Sequence, residues 1–270
     1  MGLSCDDVEN TPTQAAGDRA ELKTGRTVVW LSAGAASAVA AKLILSEQRK
    51  NVHLVYCETG AEHPDNERFL GDLTRWLNSS VERIRSEKFA DTWDVWERRK
   101  FLSGHKGAPC TFELKVGPRL DWQLPSDVHV FGYTADKEDA ARAKRLVETY
   151  PLMQCRFPLI DAGLTKQNVL AVIQGAGIKL PVLYGLGFQN NNCIPCVKAT
   201  SPNYWSLVRR EFPAEFDRMV QLSRKLGVRL SRIKEERIFI DEIPADWPCT
   251  DPIQPACDFL CHFADIQGAY

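Results

Sequence analysis

The sequence predicts a doubly wound α/β fold: a mostly parallel sheet with helices on both faces, and a helical, cysteine-bearing part toward the C-terminal end. Three observations predict it. Short β-rich runs at residues 27–31, 52–57 and 128–133 each end in a turn of small or polar residues, and a helical pattern follows each turn. Strands alternating with helices of this length are the sequence form of a parallel sheet. The composition, 44% hydrophobic and 26% charged, excludes a chain disordered throughout, and 270 residues suffice for one large domain with an appended module.

The elements follow in chain order. Residues 1–25 hold Asn10, Pro12, Gly17 and several acids without a sustained apolar period, and are expected to form a flexible tail. Thr27-Val28-Val29-Trp30-Leu31 is a strand closed by Ser32-Ala33-Gly34, and the alanine-rich stretch 35–50 is helix-forming. Val52 to Cys57 is a second strand, Glu58-Thr59-Gly60 a turn, and Pro64 to Leu77 a helix with proline in its first turn. A third strand is expected at 81–85. The run Val128 to Tyr133 follows the breaker Pro125-Ser126-Asp127 and enters a Thr134-Ala135-Asp136 turn before a helix over 137–147. Helices are expected at 165–174, 203–211 and 213–226; after them four prolines and three cysteines leave little period. This divides the chain into a tail (1–25), an α/β domain (26–190) and a C-terminal extension (191–270).

Charge and hydropathy narrow the partners, and any binding to nucleic acid must be local. With 34 basic against 35 acidic residues, no global field draws the chain to nucleic acid or to an anionic membrane. No apolar run approaches the roughly 20 residues of a membrane span, and the first 25 residues lack the apolar core of a secretory signal. The expectation is a cytoplasmic protein with no membrane partner. Nine cysteines in such a setting point to metal ligands, redox groups or buried apolar thiols before disulfides.

Several constellations could carry chemistry. Ser32-Ala33-Gly34-Ala35-Ala36-Ser37 lies where an open parallel sheet binds its ligands, and small residues there let backbone amides approach a phosphate at a helix N-terminus. A tight turn that needs small side chains for packing explains the same residues equally well, and no Walker lysine follows. Cys193-Ile194-Pro195-Cys196 has the spacing for two thiolates on one metal or cluster, or for a dithiol. Without a second such pair nearby, a complete site must recruit distant ligands, for which Cys110 and either Cys257 or Cys261 are candidates. Cys5, Cys57, Cys155 and Cys249 read as plain thiols.

A basic stretch, Arg98-Arg99-Lys100 through His105-Lys106 with Lys115 and Arg119 beyond, could hold anionic groups and could equally be a solvated face. Tyr133-Thr134 with Arg142, Lys144 and Arg145 ends a strand on the side where the first loop opens. Glu58, Glu62, His63 and Asp65 surround the end of the second strand, where a carboxylate can hold a ribose or Mg²⁺; first-turn helix acids are the plainer reading. Trp93, Trp96, Tyr204 and Trp205 at helical spacing read as core.

Together these segments resemble the phosphoadenosine phosphosulfate (PAPS) reductase family of the PP-loop, or adenine nucleotide α-hydrolase-like, superfamily, over about residues 26–200. Ser32 to Ser37 falls in the place of the family's Ser-Gly-Gly-x-Asp-Ser loop. Tyr56 to Pro64 is similar to its strand-end Asp-Thr-Gly-x-x-Phe-Pro segment. Cys110 through Lys115 and Pro118 looks like its Cys-Cys-x-x-x-Lys-x-x-Pro element, and Pro158-Leu159-Ile160 with Thr165 to Val169 like its Pro-Leu-x-x-Trp segment. The sequence departs from the family at Ala33, at Ala36 in place of the loop acid, and at Thr111 in place of the second paired cysteine.

The resemblance implies a PAPS-reductase-like fold and an adenine nucleotide substrate (ATP, PAPS or APS) held by Ser32, Ala33, Gly34, Ala35, Ala36, Ser37, Glu58, Thr59, Gly60, Tyr133, Thr134 and Lys115. It implies a 4Fe-4S cluster on Cys110, Cys193, Cys196 and Cys261, and a nucleophilic thiol at Cys257 or Cys261, in a tail that loosely resembles the family's Glu-Cys-Gly-Leu-His ending. The implied reaction is reduction of a sulfonucleotide to sulfite with a thioredoxin-like thiol reductant. Superfamily members that thiolate nucleic-acid bases with a three-cysteine cluster give a second enzyme class, in which the basic segments meet a phosphate backbone. A nucleotide-binding module with structural zinc on Cys193 and Cys196 is the non-enzymatic alternative. The variant loop is of a kind the resemblance associates with phages and mobile elements.

Overall fold

The computed structural model describes residues 25–104 and 107–256. Cys257, Cys261, His105 and Lys106 lie outside the described residues, as does the tail cysteine Cys5.

Five parallel strands, β1 (Thr27–Leu31), β2 (Val52–Glu58), β3 (Val81–Arg85), β4 (Val128–Phe131) and β5 (Gln154–Arg156), form one sheet in the order β3-β2-β1-β4-β5. The chain moves outward from β1 in one direction to β3 and then returns to its other side at β4. This reversal is the topological switch point of a doubly wound sheet, and it opens a crevice at the carboxyl ends of β1 and β4. Every residue of β1 is buried, because the central strand is covered on both faces.

The period-2 alternation of β1 divides its side chains between two layers. Val29 and Leu31 join the main core with α1 (Ala35–Ser46), α2 (Asp65–Leu77) and, later in the chain, Val169, Leu170 and Ile173. Val28 and Trp30 face the other side, with Val55, Trp122 and Phe131. Ala38, Ala40 and Ala41 of α1 are fully buried, and their small size lets this helix lie close to the sheet. It stops at Ser46, four residues before the alanine-rich pattern predicts, because Gln48 and Asn51 turn the chain through left-handed φ of 52° and 60°.

Between β3 and β4 the structure adds elements the sequence pattern does not reveal. These are α3 (Thr92–Arg99), one turn α4 (Pro109–Thr111), a π-helical turn at Phe112–Val116 and α5 (Gly117–Trp122). Asp91 caps α3 by accepting from the Asp94 amide at 2.8 Å. Beyond β4 come α6 (Lys137–Thr149), α7 (Pro158–Asp161), α8 (Lys166–Gly175), α9 (Val182–Leu186), α10 (Pro202–Glu211) and α11 (Pro213–Leu226). A small antiparallel hairpin, β6 (Ser231–Ile233) and β7 (Glu236–Ile238), follows; the low-period end of the chain gives no sign of it.

Trp93, Trp96 and Leu102 from the middle of the chain pack in a second core with Leu183, Phe188, Trp205, Leu207, Phe216, Met219 and Ile240. The tryptophans and Tyr204 are thus core residues, as the helical spacing predicts. This second core carries Cys110 and the Cys193–Cys196 loop on its edge, which brings segments 80 residues apart in sequence together.

Candidate functional site

At the switch point, Ser37 Oγ accepts from the Ser32 amide at 3.1 Å and donates to Gly34 O at 3.0 Å, which folds the 32–37 loop back on itself. Ala33 takes a left-handed φ of 52°. The first turn of α1 carries no acid and Gly34 supplies no side-chain cap, so the positive end of the helix dipole faces the crevice without a carboxylate of its own. Tyr184, fully buried on α9, accepts from the Ala35 amide at 3.3 Å; burial pushes its phenol up to about 12.

Gly132, just beyond β4, is where the two sides of the crevice meet. A Cβ there would sit 2.6 Å from the Ser37 Cα and N and 2.8 Å from the Ala36 carbonyl carbon. The close approach ends β4 at Phe131 and not at Tyr133, and it places Tyr133 and Thr134 beside the first loop. Tyr133, Phe131 and Phe157 form a cluster of three rings with centroids 5.8 to 6.3 Å apart, and the Arg142 guanidinium lies 4.8 Å from the Tyr133 centroid. The Thr134 amide and hydroxyl are engaged with Asp139 and Asp136.

Lys166, in the Thr165 to Val169 segment but not among the expected site residues, donates to Asn190 at 2.8 Å and lies 5.6 Å over the Tyr184 ring. Burial lowers its pKa, against the opposing pull of Asp139 and Asp136.

The second part of the site lies at the end of β2. Thr59, Thr92, Trp96, Cys110, Thr111, Lys115, Asn192, Cys193, Pro195 and Cys196 surround a cavity of about 60 Å³, with Val197 and Lys198 completing it. The carboxylate of Glu62 closes the β2 turn by accepting from the Thr59 amide (2.7 Å), the Thr59 hydroxyl (2.6 Å) and the Ala61 amide (3.1 Å). Thr59 Oγ1 is 2.8 Å from Cys193 Sγ. The hydroxyl has one proton, so while it serves Glu62 the thiol of Cys193 must donate; a Cys193 thiolate would draw that proton to itself.

Burial raises the Cys193 thiol, and Glu62 and Cys196 add to that against Lys115 and Thr59, which pull it down. Burial likewise raises Cys110. Lys115 is exposed and lines the thiol cavity. Burial pulls its pKa down, but the surrounding Cys193, Glu62, Cys57 and Cys196 outweigh this and raise it. Cys57, behind the site, is pushed up to about 11 by burial.

Asn191, two residues before Cys193, joins the two parts: its Nδ2 donates to Ala33 O at 2.6 Å and to Asn66 Oδ1 at 2.8 Å. Asn191, Asn66 and Lys166 are the contributors sequence reasoning missed; the Gly/Asn-rich texture before Cys193 is the signal that could have found the first.

The residues expected to bind one nucleotide therefore fall into two groups. Ser32 to Ser37 with Tyr133 and Thr134 meet at the switch point, while Thr59 and Lys115 face the thiols. Gly60 is conformational, with φ 69° and no room for a Cβ against Ala90 O. Glu58 is ion-paired with Arg83 at 3.0 Å, and Asp65 holds Arg68 and the Val182 amide. In the basic stretch Arg98 pairs with Asp94 and Arg99 with Glu113, and beyond Tyr133 Arg142 pairs with Asp139 and Lys144 with Glu148. Cys110, Cys193 and Cys196 line one cavity, yet among the described residues no three His, Cys, Asp or Glu side chains are placed to hold a metal ion.

Fold and site define an open, doubly wound parallel α/β protein with thiols gathered beside its switch-point loop. No family model matches the chain, and no curated protein does. Among solved structures it is similar to a phosphoadenylyl-sulfate (PAPS) reductase from Candida auris in a phosphate complex, 14% identical, with a TM-score of 0.48 over 66% of this chain and 86% of that one. It is also similar to a U34-tRNA thiolase from Methanococcus maripaludis with its 4Fe-4S cluster, 13% identical, with a TM-score of 0.39 over 90% of this chain and 80% of that one. No helix of the described residues is long and apolar enough to cross a membrane.

Proposed function

We propose that the protein is a nucleotide-binding, sulfur-handling enzyme, and that it reduces a sulfonucleotide to sulfite. The observation that carries this reading is the convergence of Cys110, Cys193, Cys196 and Lys115 on one cavity, joined through Asn191 to the switch-point loop. Ser32 to Ser37 and the N-terminus of α1 would receive the phosphates, with Lys166 as the cation at the mouth of the loop.

Thiolates ligate both zinc and iron–sulfur clusters, and the resemblance to the PAPS reductase family favours the 4Fe-4S cluster here. Cys110, Cys193 and Cys196 would hold it, with a fourth ligand from the tail, and Lys115 would balance its negative charge. When bound, such a cluster supplies iron–sulfur chemistry next to the nucleotide crevice.

The reducing thiol would come from the chain end. Thr250 Oγ1 donates to Gly187 O at 2.8 Å, Gln189 donates to Asp251 O at 2.9 Å, and the Ala256 amide reaches Gln167 O at 3.5 Å. The segment before Cys257 is thus fastened beside Lys166. A thiolate of Cys257 or Cys261 would attack the sulfonate sulfur; the sulfur–oxygen bond to the phosphate breaks and the nucleotide leaves. A thioredoxin-like dithiol would then attack the cysteine sulfur, releasing sulfite and ending as a disulfide.

The test is iron, acid-labile sulfide and zinc on anaerobically purified protein, wild type against Cys193→Ala, together with sulfite release from PAPS. Iron and sulfide that fall at least tenfold in Cys193→Ala, with sulfite formed by the wild type, are expected. Stoichiometric zinc without iron removes the cluster. Salt-sensitive tRNA binding without sulfite release replaces reduction with base thiolation.

A further inference from the structure

Arg119, on α5, is the one buried arginine or lysine among the described residues, at 7% exposure, and none of those residues gives it an ion pair or a hydrogen bond. Its Nε is fully enclosed without a partner, while the two terminal nitrogens, equally unpartnered, are not enclosed. Asp127 offers the contrast: at 1% exposure it holds the Arg26 guanidinium and accepts from the Leu124 amide, each at 2.7 Å. Two aromatic rings frame the Arg119 guanidinium, with Phe131 5.9 Å and Tyr150 5.6 Å from its central carbon.

The titratable side chains that feel this charge are Cys57, His129, Tyr133 and Cys155. Burial lowers His129 to about 4 and raises both thiols and the phenol, so none of the four supplies a negative charge at neutral pH. A buried cation without a counter-charge is unfavourable, and a chain that keeps one leaves room for an anion from outside. Arg142, across the Tyr133 ring, also acts on that phenol, and its own partner Asp139 lies at 2.8 Å. A guanidinium fork with a phenol and a second guanidinium nearby suits the three terminal oxygens of a phosphate better than the two of a carboxylate.

We infer that Arg119 is the receptor of an oxyanion site on the face of the sheet opposite α1, where its terminal nitrogens hold a phosphate group between Phe131 and Tyr150, with the Tyr133 phenol and Arg142 beside it. The inference is independent of the sulfur chemistry proposed above. The phosphate is free in solution or carried by a nucleotide that reaches across β4 from the crevice, and the test separates these sources.

Thermal unfolding and calorimetric titration are carried out on the full chain in buffer free of phosphate and sulfate, and again with inorganic phosphate or adenosine 5′-monophosphate. The proteins are wild type, Arg119→Met, Arg119→Lys and the control Arg75→Met, whose arginine is exposed and paired with Asp72. Arg119→Met removes the uncompensated charge and keeps an apolar stem against the rings, so without an anion it should melt above wild type. Ligand at ten times its Kd should lower the wild-type unfolding constant about elevenfold and leave Arg119→Met unmoved. Arg119→Lys, which keeps the charge and loses the fork, should bind about tenfold more weakly. This pattern with inorganic phosphate supports the inference with a free anion as the ligand; the same pattern with the nucleotide alone supports it with a nucleotide. Equal stabilisation of wild type and Arg119→Met, or none of wild type by either ligand, overturns it. So does an Arg119→Met protein that melts below wild type in the absence of anion, or an equal loss of binding in Arg75→Met.

Discussion

Gly132→Ala tests whether the crevice depends on the contact between β4 and α1. In the structure the added methyl would stand 2.6 Å from the Ser37 Cα and N and 2.8 Å from the Ala36 carbonyl carbon. Ordinary carbon contacts begin near about 3.5 Å, so strand end and helix start must part by about 1 Å. All of these atoms are backbone, and no side chain can swing aside. Gly132 is not in the left-handed region, so the cost is steric and not conformational. Overpacking of this kind costs about 1–3 kcal/mol, and rigid backbone neighbours place it near the upper end. For a chain of this size about 3 kcal/mol lowers the melting temperature by roughly 6–12 °C.

The same displacement moves the amides of the 32–37 loop, so nucleotide affinity should fall about tenfold or more, the equivalent of at least ~1.4 kcal/mol. Differential scanning calorimetry and titration with an adenine nucleotide measure both. Gly163→Ala is the control: φ there is 66° and nothing lies within 4 Å of the added Cβ. It should cost about 1–2 kcal/mol for the left-handed backbone alone and leave nucleotide affinity untouched. A Gly132→Ala protein that melts within about 2 °C of wild type and binds nucleotide equally well would refute the reasoning.

Two further predictions concern single charged groups. His129, buried in β4, accepts the Trp30 indole N–H at Nδ1 (3.1 Å), and burial lowers it to about 4. Its folded pKa lies below the unfolded 6.5, so its contribution is complete above about pH 6.5 and is lost as pH falls toward 4, by up to ~3 kcal/mol. Urea unfolding of wild type and His129→Asn between pH 7 and 4.5 should show a slope in wild type that the variant lacks; parallel profiles would remove this account. Lys166→Ala should weaken adenine nucleotide binding by ~10–100-fold, the usual worth of a hydrogen bond to a charged group, while the 280 nm melting curve moves little. Unchanged affinity in calorimetric titration would take Lys166 out of the site.

The parallel sheet and the position of its first loop were legible because alternation of strand and helix is local. Val28 to Leu31 are apolar at every position, as a strand covered on both faces favours, and the small residues after them mark the turn. The element boundaries were less legible: β4 ends at Phe131 because Gly132 presses on Ser37, a contact between residues 95 apart in sequence. Cys193 and Cys196 announce a thiol pair by spacing, and Cys110 could be named with them from motif resemblance. That the three line one cavity with Lys115 depends on the second core, where Trp96 packs with Trp205 and Phe188.

By itself, then, the sequence determined the α/β class, the site of the switch-point loop and the identity of the thiols, since these rest on period, turn chemistry and residue type. Only the tertiary structure decided that Glu58 pairs with Arg83, that Arg99 pairs with Glu113, and that Asn191 ties the loop to the thiols. It alone also left Arg119 buried without a counter-charge among the described residues. The reason is physical: a hydrogen bond or an ion pair is fixed by distances of a few ångströms between groups whose separation in the chain has no bearing on them, and period carries no record of such meetings.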